Sequence, residues 1–189
     1  MGMSGTMNRI LVRAATRDDV NFVAQCVLAA VDLYDFKTVS VEHDLAIKVC
    51  GLDDTLYSWR NARLAVVDGT VVGCLVSYDG AIYEDGRKRT FSHFADAGRS
   101  MDSTETETGP GEYYLDSMAI LPAFRGFGIG HVLMKDAIEI ARSGGMHKVS
   151  LIVECSKPEL RDYYSELGFK PDHELNAFGD RYLKMILEI

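Results

Sequence analysis

Cysteine is scarce and scattered in this chain, and its histidines stand alone. Cys26, Cys50, Cys74 and Cys155 form no C-x-x-C pair, and His43, His93, His131, His147 and His173 are isolated from them and from one another. That spacing argues against a zinc site or other metal centre and against a disulfide framework, and for a reducing cytoplasm. Each cysteine reads first as a small buried hydrophobe. Long hydrophobic runs are missing too. None approaches the roughly 18 residues of a membrane helix, so no membrane span is expected. The N-terminus has no apolar signal-peptide core. An excess of positive charge is also lacking: 20 Lys and Arg stand against 28 Asp and Glu, a formal charge of −8. That balance argues against broad nucleic-acid binding and is compatible with a cationic small-molecule or peptide partner.

What is present is ordinary for a globular protein: 47% hydrophobic and 25% charged residues over 189 positions. The length predicts one domain with a real core. Residues 1–8 read as a polar lead or tag remnant, and 9–189 as the domain. Arg9–Arg13 predicts a strand. Thr16 is a good N-cap residue for the helix that follows, and Asp18 and Asp19 sit where a helix start favours acids. Val20, Val23, Val27, Ala30 and Val31 give its apolar face. A second helix is predicted over Val41–Val49, with Gly51 as its stop. Ala62–Val67 and Val71–Tyr78 flank Asp68-Gly69, a strong hairpin signal with a type I′ turn.

Residues 81–111 read as an insertion, with basic Arg87-Lys88-Arg89 and an acidic run from Thr104 to Thr108. A structureless loop of that length is uncommon inside a domain. The alternatives are a helix near Lys88–Ala97, a mobile lid over the substrate site, or a disordered surface insertion. Further on, Lys148–Glu154 predicts a buried strand and Pro158 starts a helix that Gly168 ends. Tyr182–Ile189 predicts a last strand, paired through a turn at Phe178-Gly179-Asp180 with the region near Lys170–Leu175.

The most informative stretch lies between these. Tyr114, Leu115, Met118, Ile120 and Leu121 make a β-type run that Pro122 ends. Arg125-Gly126-Phe127-Gly128-Ile129-Gly130 follows, and then Val132, Leu133, Ala137, Ile138 and Ala141 recur at helical spacing. A helix start leaves N–H groups without intrahelical partners and carries partial positive charge. Glycines let the backbone approach a ligand, and arginine suits phosphate oxygens. Phosphate or pyrophosphate is the guest this pattern suits. The alternative is a strand-to-helix turn that binds nothing. The glycine spacing does not fit the G-x-G-x-x-G of a dinucleotide fold.

Arg125–Gly130 resembles the Arg/Gln-x-x-Gly-x-Gly/Ala motif of the GNAT superfamily of acyl-CoA-dependent N-acyltransferases. Met118-Ala119-Ile120-Leu121-Pro122 is similar to that family's lead-in strand. Downstream, Tyr164-Ser165-Glu166-Leu167-Gly168-Phe169 resembles its Tyr-x-x-x-Gly-Phe segment, in the family's order and at a family-like separation. The resemblance implies an α+β fold with a mixed, mostly antiparallel central sheet and helices on both faces. It also implies acetyl-CoA as donor and a small-molecule or peptide amine as acceptor.

The resemblance also implies site residues. Met118, Ala119 and Ile120 would hold the pantetheine arm, and N–H groups near Met118 would polarise the thioester carbonyl. Arg125, Gly126, Phe127, Gly128, Ile129 and Gly130 would take the pyrophosphate. Tyr164 would protonate the departing thiolate, with Tyr163 its neighbouring alternative. The base would be a carboxylate on the strand before the motif, Asp116 ahead of Glu112. Where the family commonly has an asparagine, this chain has Lys157, which would reach a cofactor phosphate or stand exposed. The region between the first two helices often walls the family's acceptor pocket, which makes Tyr34, Phe36, Tyr57 and Trp59 either pocket or core residues. A non-catalytic acyl-CoA-binding sensor is the alternative function. Edge strands leave a homodimer open.

Overall fold

A computed structural model describes residues 9–37, 42–98 and 104–189. The elements are β1 (Leu11–Ala14), α1 (Val20–Ala30), α2 (His43–Gly51), β2 (Ala62–Val67), β3 (Thr70–Asp79), α3 (Tyr83–Asp96), β4 (Tyr113–Ile120), α4 (Ile129–Ser143), β5 (Lys148–Glu154), α5 (Pro158–Glu166), β6 (Lys170–Ala177) and β7 (Asp180–Glu188). The strands form a seven-stranded sheet in the order β1-β2-β3-β4-β5-β7-β6. This is the mixed, mostly antiparallel α+β architecture expected. The chain divides into two compact units, one of residues 1–53, 57–76 and 117–137, the other of 54–56, 77–116 and 138–189. Strands β3 and β4 each run from one unit into the other.

In the first unit, β1 and β2 pair antiparallel from Leu11 opposite Val66 to Ala14 opposite Arg63. The β2–β3 hairpin turns through Asp68 at φ 49° and Gly69 at φ 79°, the left-handed pair that a type I′ turn requires. Thr16 is an N-cap as expected, though of the 3-10 turn that leads into α1 and with a capping box to Asp19. A 3-10 turn at Arg17–Asp19 precedes α1, and the Asp19 carboxylate accepts from the Thr16 N–H at 2.8 Å and Oγ1 at 2.9 Å. Arg13 forks onto the same carboxylate at 2.7 and 2.8 Å. The Arg13 bond holds Asp19 well below the usual carboxylate range, against the opposing effect of burial. Val23, Ala24, Val27 and Leu28 bury the inner face of α1. Cys26, Cys50 and Cys74 are buried as expected, whereas Cys155 is exposed in the turn after β5.

In the second unit, β5 pairs antiparallel with β7, and β7 with β6. The insertion contains a helix that starts five residues earlier than expected. Glu84 and Asp85 occupy the first turn of α3, where acids complement the dipole. Gly86 lies so close to Leu56 that a Cβ would sit 2.6 Å from its Cδ2. The segment after it is held by hydrogen bonds from Thr104 onward. Thr104 O accepts from Arg87, and Thr104 Oγ1 accepts from the Phe178 N–H at 3.2 Å. Glu105 N–H donates to Asn176 O at 2.8 Å. Residues 99–103 of the insertion, and 38–41 before α2, lie outside the described residues.

Candidate functional site

The glycine turn is built as its sequence suggests. Leu121 N–H donates to Val72 O at 2.9 Å, which fixes the end of β4 on β3. Pro122–Phe124 makes one 3-10 turn. Gly126 and Gly128 then take φ 81° and 78°, a region costly for residues with a Cβ. A methyl group on either would meet nothing within 4 Å. Both glycines are exposed, as are Arg125 and Phe127, while Ile129 and Gly130 at the start of α4 are buried. The first i to i−4 bond of α4 runs from Val132 N–H to Gly128 O at 3.1 Å. The N–H groups of Gly128 to His131 therefore have no acceptor within the helix. Leu133, Met134, Ala137 and Ala141 anchor α4 from its buried side. The open, glycine-lined start of the 15-residue α4, with an arginine beside it, has the donor set for a pyrophosphate.

Met118, Ala119 and Ile120 lie next to this turn at the end of β4. Ala119 is buried, and its neighbours are partly so. Gly73 of β3 permits that approach: a Cβ there would lie 3.3 Å from Ile120 Cγ1 and Ile129 Cγ2 and 3.4 Å from Ala119 O. Cys26 Sγ lies 3.9 Å from the same carbonyl. Arg125 Nε donates to Ile120 O at 3.1 Å, so one of the strand's carbonyls is already occupied by the motif's own arginine. The structure thus brings Met118–Ile120 and Arg125–Gly130 together in the first unit.

Asp116, Lys157 and Tyr164 belong to the second unit. The parallel pairing of β4 with β5 joins Tyr113 to Val149 and Tyr114 to Ser150 and does not continue to Leu115 or Asp116. Asp116 accepts from Tyr78 Oη at 2.5 Å. Glu112, the second base candidate, is committed elsewhere. It accepts from Lys184 Nζ at 2.7 Å, Ser150 Oγ at 2.7 Å and Thr108 Oγ1 at 2.9 Å. Burial alone would raise its pKa, but these partners, Lys184 first, outweigh burial and hold it below its ordinary value. A carboxylate made less basic by a buried lysine is a poor base.

Tyr164 stands against Tyr163 at 5.4 Å and Phe169 at 5.9 Å between ring centroids. Burial, and then the charge on Tyr163, push its phenol up to about 12, so it carries its proton at neutral pH. Lys157 precedes α5 and pairs with Glu154 at 3.1 Å. Of the aromatic pocket candidates, Tyr57 is buried. Trp59 lies between Arg17 and Arg60, whose guanidinium carbons are 5.4 and 5.3 Å from its ring. Tyr34 and Phe36 meet each other at 5.2 Å.

Sequence reasoning missed Glu107. It is 6% exposed, and its carboxylate accepts from Tyr83 Oη at 3.0 Å and Tyr114 Oη at 2.6 Å. Burial first, and then the charge of Asp116, raise it to about 7, although both tyrosine bonds and Arg87 oppose the rise. Alternation along Thr104–Thr108 gives no signal for it, because Glu105 and Glu107 would share a face and yet Glu105 is exposed and Glu107 buried. Thr104 and Thr108 are buried, and Glu105 and Thr106 are exposed.

A model of the acetyltransferase (GNAT) family matches residues 31–169. The chain belongs to this family. Among solved structures, the acetyltransferase family member resembles one described as an acetyltransferase, with 28% identity, a TM-score of 0.74 and coverage of 95% of this chain and 99% of that one. It shares its fold with an N-acetyltransferase from Staphylococcus aureus Mu50, at 22% identity and a TM-score of 0.77, covering 94% of this chain and 100% of that one. It is also similar over 65 residues, at 35% identity, to the glucosamine 6-phosphate N-acetyltransferase of Trypanosoma brucei brucei. That match takes in 34% of this GNAT chain and 42% of the length of the curated relative.

Proposed function

We propose that the protein is an acetyl-CoA-dependent N-acetyltransferase that moves an acetyl group directly to a primary amine of a small molecule or peptide. The observation that carries this reading is the open turn at Arg125–Gly130, with Gly126 and Gly128 left-handed at the start of α4, in a chain of the GNAT family. Acetyl-CoA, when bound, supplies the acetyl group as an activated thioester. We assign Arg125, Gly126, Phe127, Gly128, Ile129 and Gly130 to its pyrophosphate, by charge and helix-start N–H groups. Met118, Ala119 and Ile120 are assigned to the pantetheine arm through their backbone. An N–H near Met118 would polarise the carbonyl as negative charge develops on it. Lys157 is a weaker assignment to a cofactor phosphate, because it must leave Glu154 to serve there.

The reaction moves protons at nitrogen and at sulfur, and one group is assigned to each. The acceptor enters as an ammonium and must lose a proton before nitrogen can attack. Asp116 is assigned as the proton acceptor. The departing sulfur must gain a proton, and Tyr164 is assigned as the donor, since its phenol stays protonated at neutral pH; the second proton that nitrogen sheds as the amide forms restores the phenol. A cytoplasmic location belongs to this reading, because all four cysteines are free thiols. The test is calorimetric titration with acetyl-CoA, with NAD as control, followed by an amine panel read by mass spectrometry. The panel begins with glucosamine 6-phosphate, the acceptor in the name of the partial relative, and extends to polyamines and peptide N-termini. Micromolar acetyl-CoA binding with an acetylated product supports the enzyme. Binding without any product favours a sensor, and absence of binding removes both.

A further inference from the structure

The second unit holds two carboxylates, each bonded to a tyrosine, and the two tyrosines touch. Tyr114 and Asp116 are two apart on β4 and so share one face of the strand. Tyr114 donates to Glu107 at 2.6 Å, and Tyr78 of β3 donates to Asp116 at 2.5 Å. The Tyr78 and Tyr114 rings are 5.7 Å apart between centroids. Tyr83 of α3 closes the far side, with its hydroxyl on Glu107 at 3.0 Å and its ring 6.4 Å from that of Tyr114. Tyr78, Tyr83 and Tyr114 are 3%, 1% and 0% exposed.

We propose that Glu107 is a positioning residue for acetyl transfer, which makes Asp116 and Glu107 one unit that takes up a single proton from the acceptor amine. The inference rests on the acetyltransferase reading above and adds a residue to it. In the step, an N–H bond of the acceptor ammonium breaks, its electron pair stays on nitrogen, and the proton bonds to an Asp116 oxygen. The neutral amine is then the nucleophile, and the pair later releases the proton to solvent.

The physical reason is a matching problem. An isolated aspartate is a weak base toward an ammonium at pH 7, and a base works best when its affinity for protons suits the working pH. Two carboxylates that feel each other's charge resist being ionised together, so their last proton leaves at a raised pH and belongs to the pair. The surroundings favour that outcome. Burial is the largest influence on Glu107, followed by the charge on Asp116. The charged and titratable neighbours are Tyr83 and Arg87 of α3, Tyr114 and Asp116 of β4, Tyr78 of β3 and Tyr182 of β7. Arg87 is the one cation among them, and it opposes the rise. Its guanidinium lies over Tyr83 and Phe91 and donates to Thr104 O, with no ion pair to Glu107 among the described residues. The three tyrosines stay protonated, since burial raises each of them.

The experiment uses the full chain with carbon-13 in its carboxyl groups. NMR titration of the wild type is expected to show a shared inflection near pH 7 on both the Glu107 and the Asp116 carboxyl carbons. In Glu107→Gln, Asp116 should titrate in a single step at least two pH units lower. With an amine taken from the panel, the acid limb of kcat/KM should move down by at least one pH unit and the plateau should fall by roughly tenfold. Glu107→Asp should recover part of the limb. Separate titrations in the wild type overturn the inference even when acetylation is robust. A Glu107→Gln enzyme that keeps the wild-type acid limb overturns it as well. Tyr114→Phe serves if Glu107→Gln does not fold, and its acid limb must move in the opposite direction, upward, because the Tyr114 bond holds Glu107 down. Acetylation of no amine, beside a shared inflection, overturns the parent reading and with it any role of the pair in transfer.

Discussion

Gly128 allows charge to be separated from backbone strain at the glycine turn. Its φ of 78° lies in the left-handed region, and an added Cβ meets nothing within 4 Å. Alanine there clashes with no neighbour and pays only the left-handed penalty of about 1–2 kcal/mol. That corresponds to a fall in Tm of roughly 2–8 °C for a chain of this size. Glutamate carries the same strain and adds a negative charge. If that charge stands about 6 Å from each of two phosphate charges, Coulomb's law in water gives ~0.7 kcal/mol per pair. The sum of ~1.4 kcal/mol is tenfold in affinity, and a lower effective dielectric makes it larger. Calorimetry with acetyl-CoA should therefore show Gly128→Ala within about threefold of the wild type and Gly128→Glu weaker by tenfold or more. The gap should narrow in high salt. Equal losses in both variants would mean that strain governs binding, and unchanged affinity in Gly128→Glu would mean that no phosphate sits at this helix start.

Three further outcomes are expected. Tyr164→Phe should lower kcat by about a hundredfold, the scale of general acid catalysis, with acetyl-CoA affinity unchanged in calorimetry; unaltered turnover would remove the phenol from the reaction. Gly80→Ala should destabilise by several kcal/mol, about the upper range for a single substitution, because its Cβ would fall 2.1 Å from Gly109 O, and an unchanged melting curve would contradict that packing. Glu107, raised to about 7 in the folded state, binds more protons folded than unfolded, so its stabilising contribution is complete below the unfolded value of roughly 4.3. It is lost as pH rises towards 7, and urea titrations of wild type and Glu107→Gln should diverge in slope over that window alone.

The local patterns were decided by the sequence. Asp68-Gly69 admits a left-handed pair at little cost, so the hairpin was readable. Gly126 and Gly128 marked a turn that other residues adopt with strain, and the apolar spacing after them marked α4. What could not be read were features set by residues distant in the chain. The fate of the insertion depended on partners such as Asn176, Phe178 and Leu56, which local patterns do not name. Glu112 and Asp116 are equivalent in a strand pattern, and only the tertiary structure gave one a buried lysine and the other a tyrosine. In the sequence Glu107 is one acid of an acidic run, and only folding placed two tyrosine hydroxyls on it. Burial and charge neighbours determine what a carboxylate can do with a proton, and both are properties of contacts that the chain makes only when it is folded.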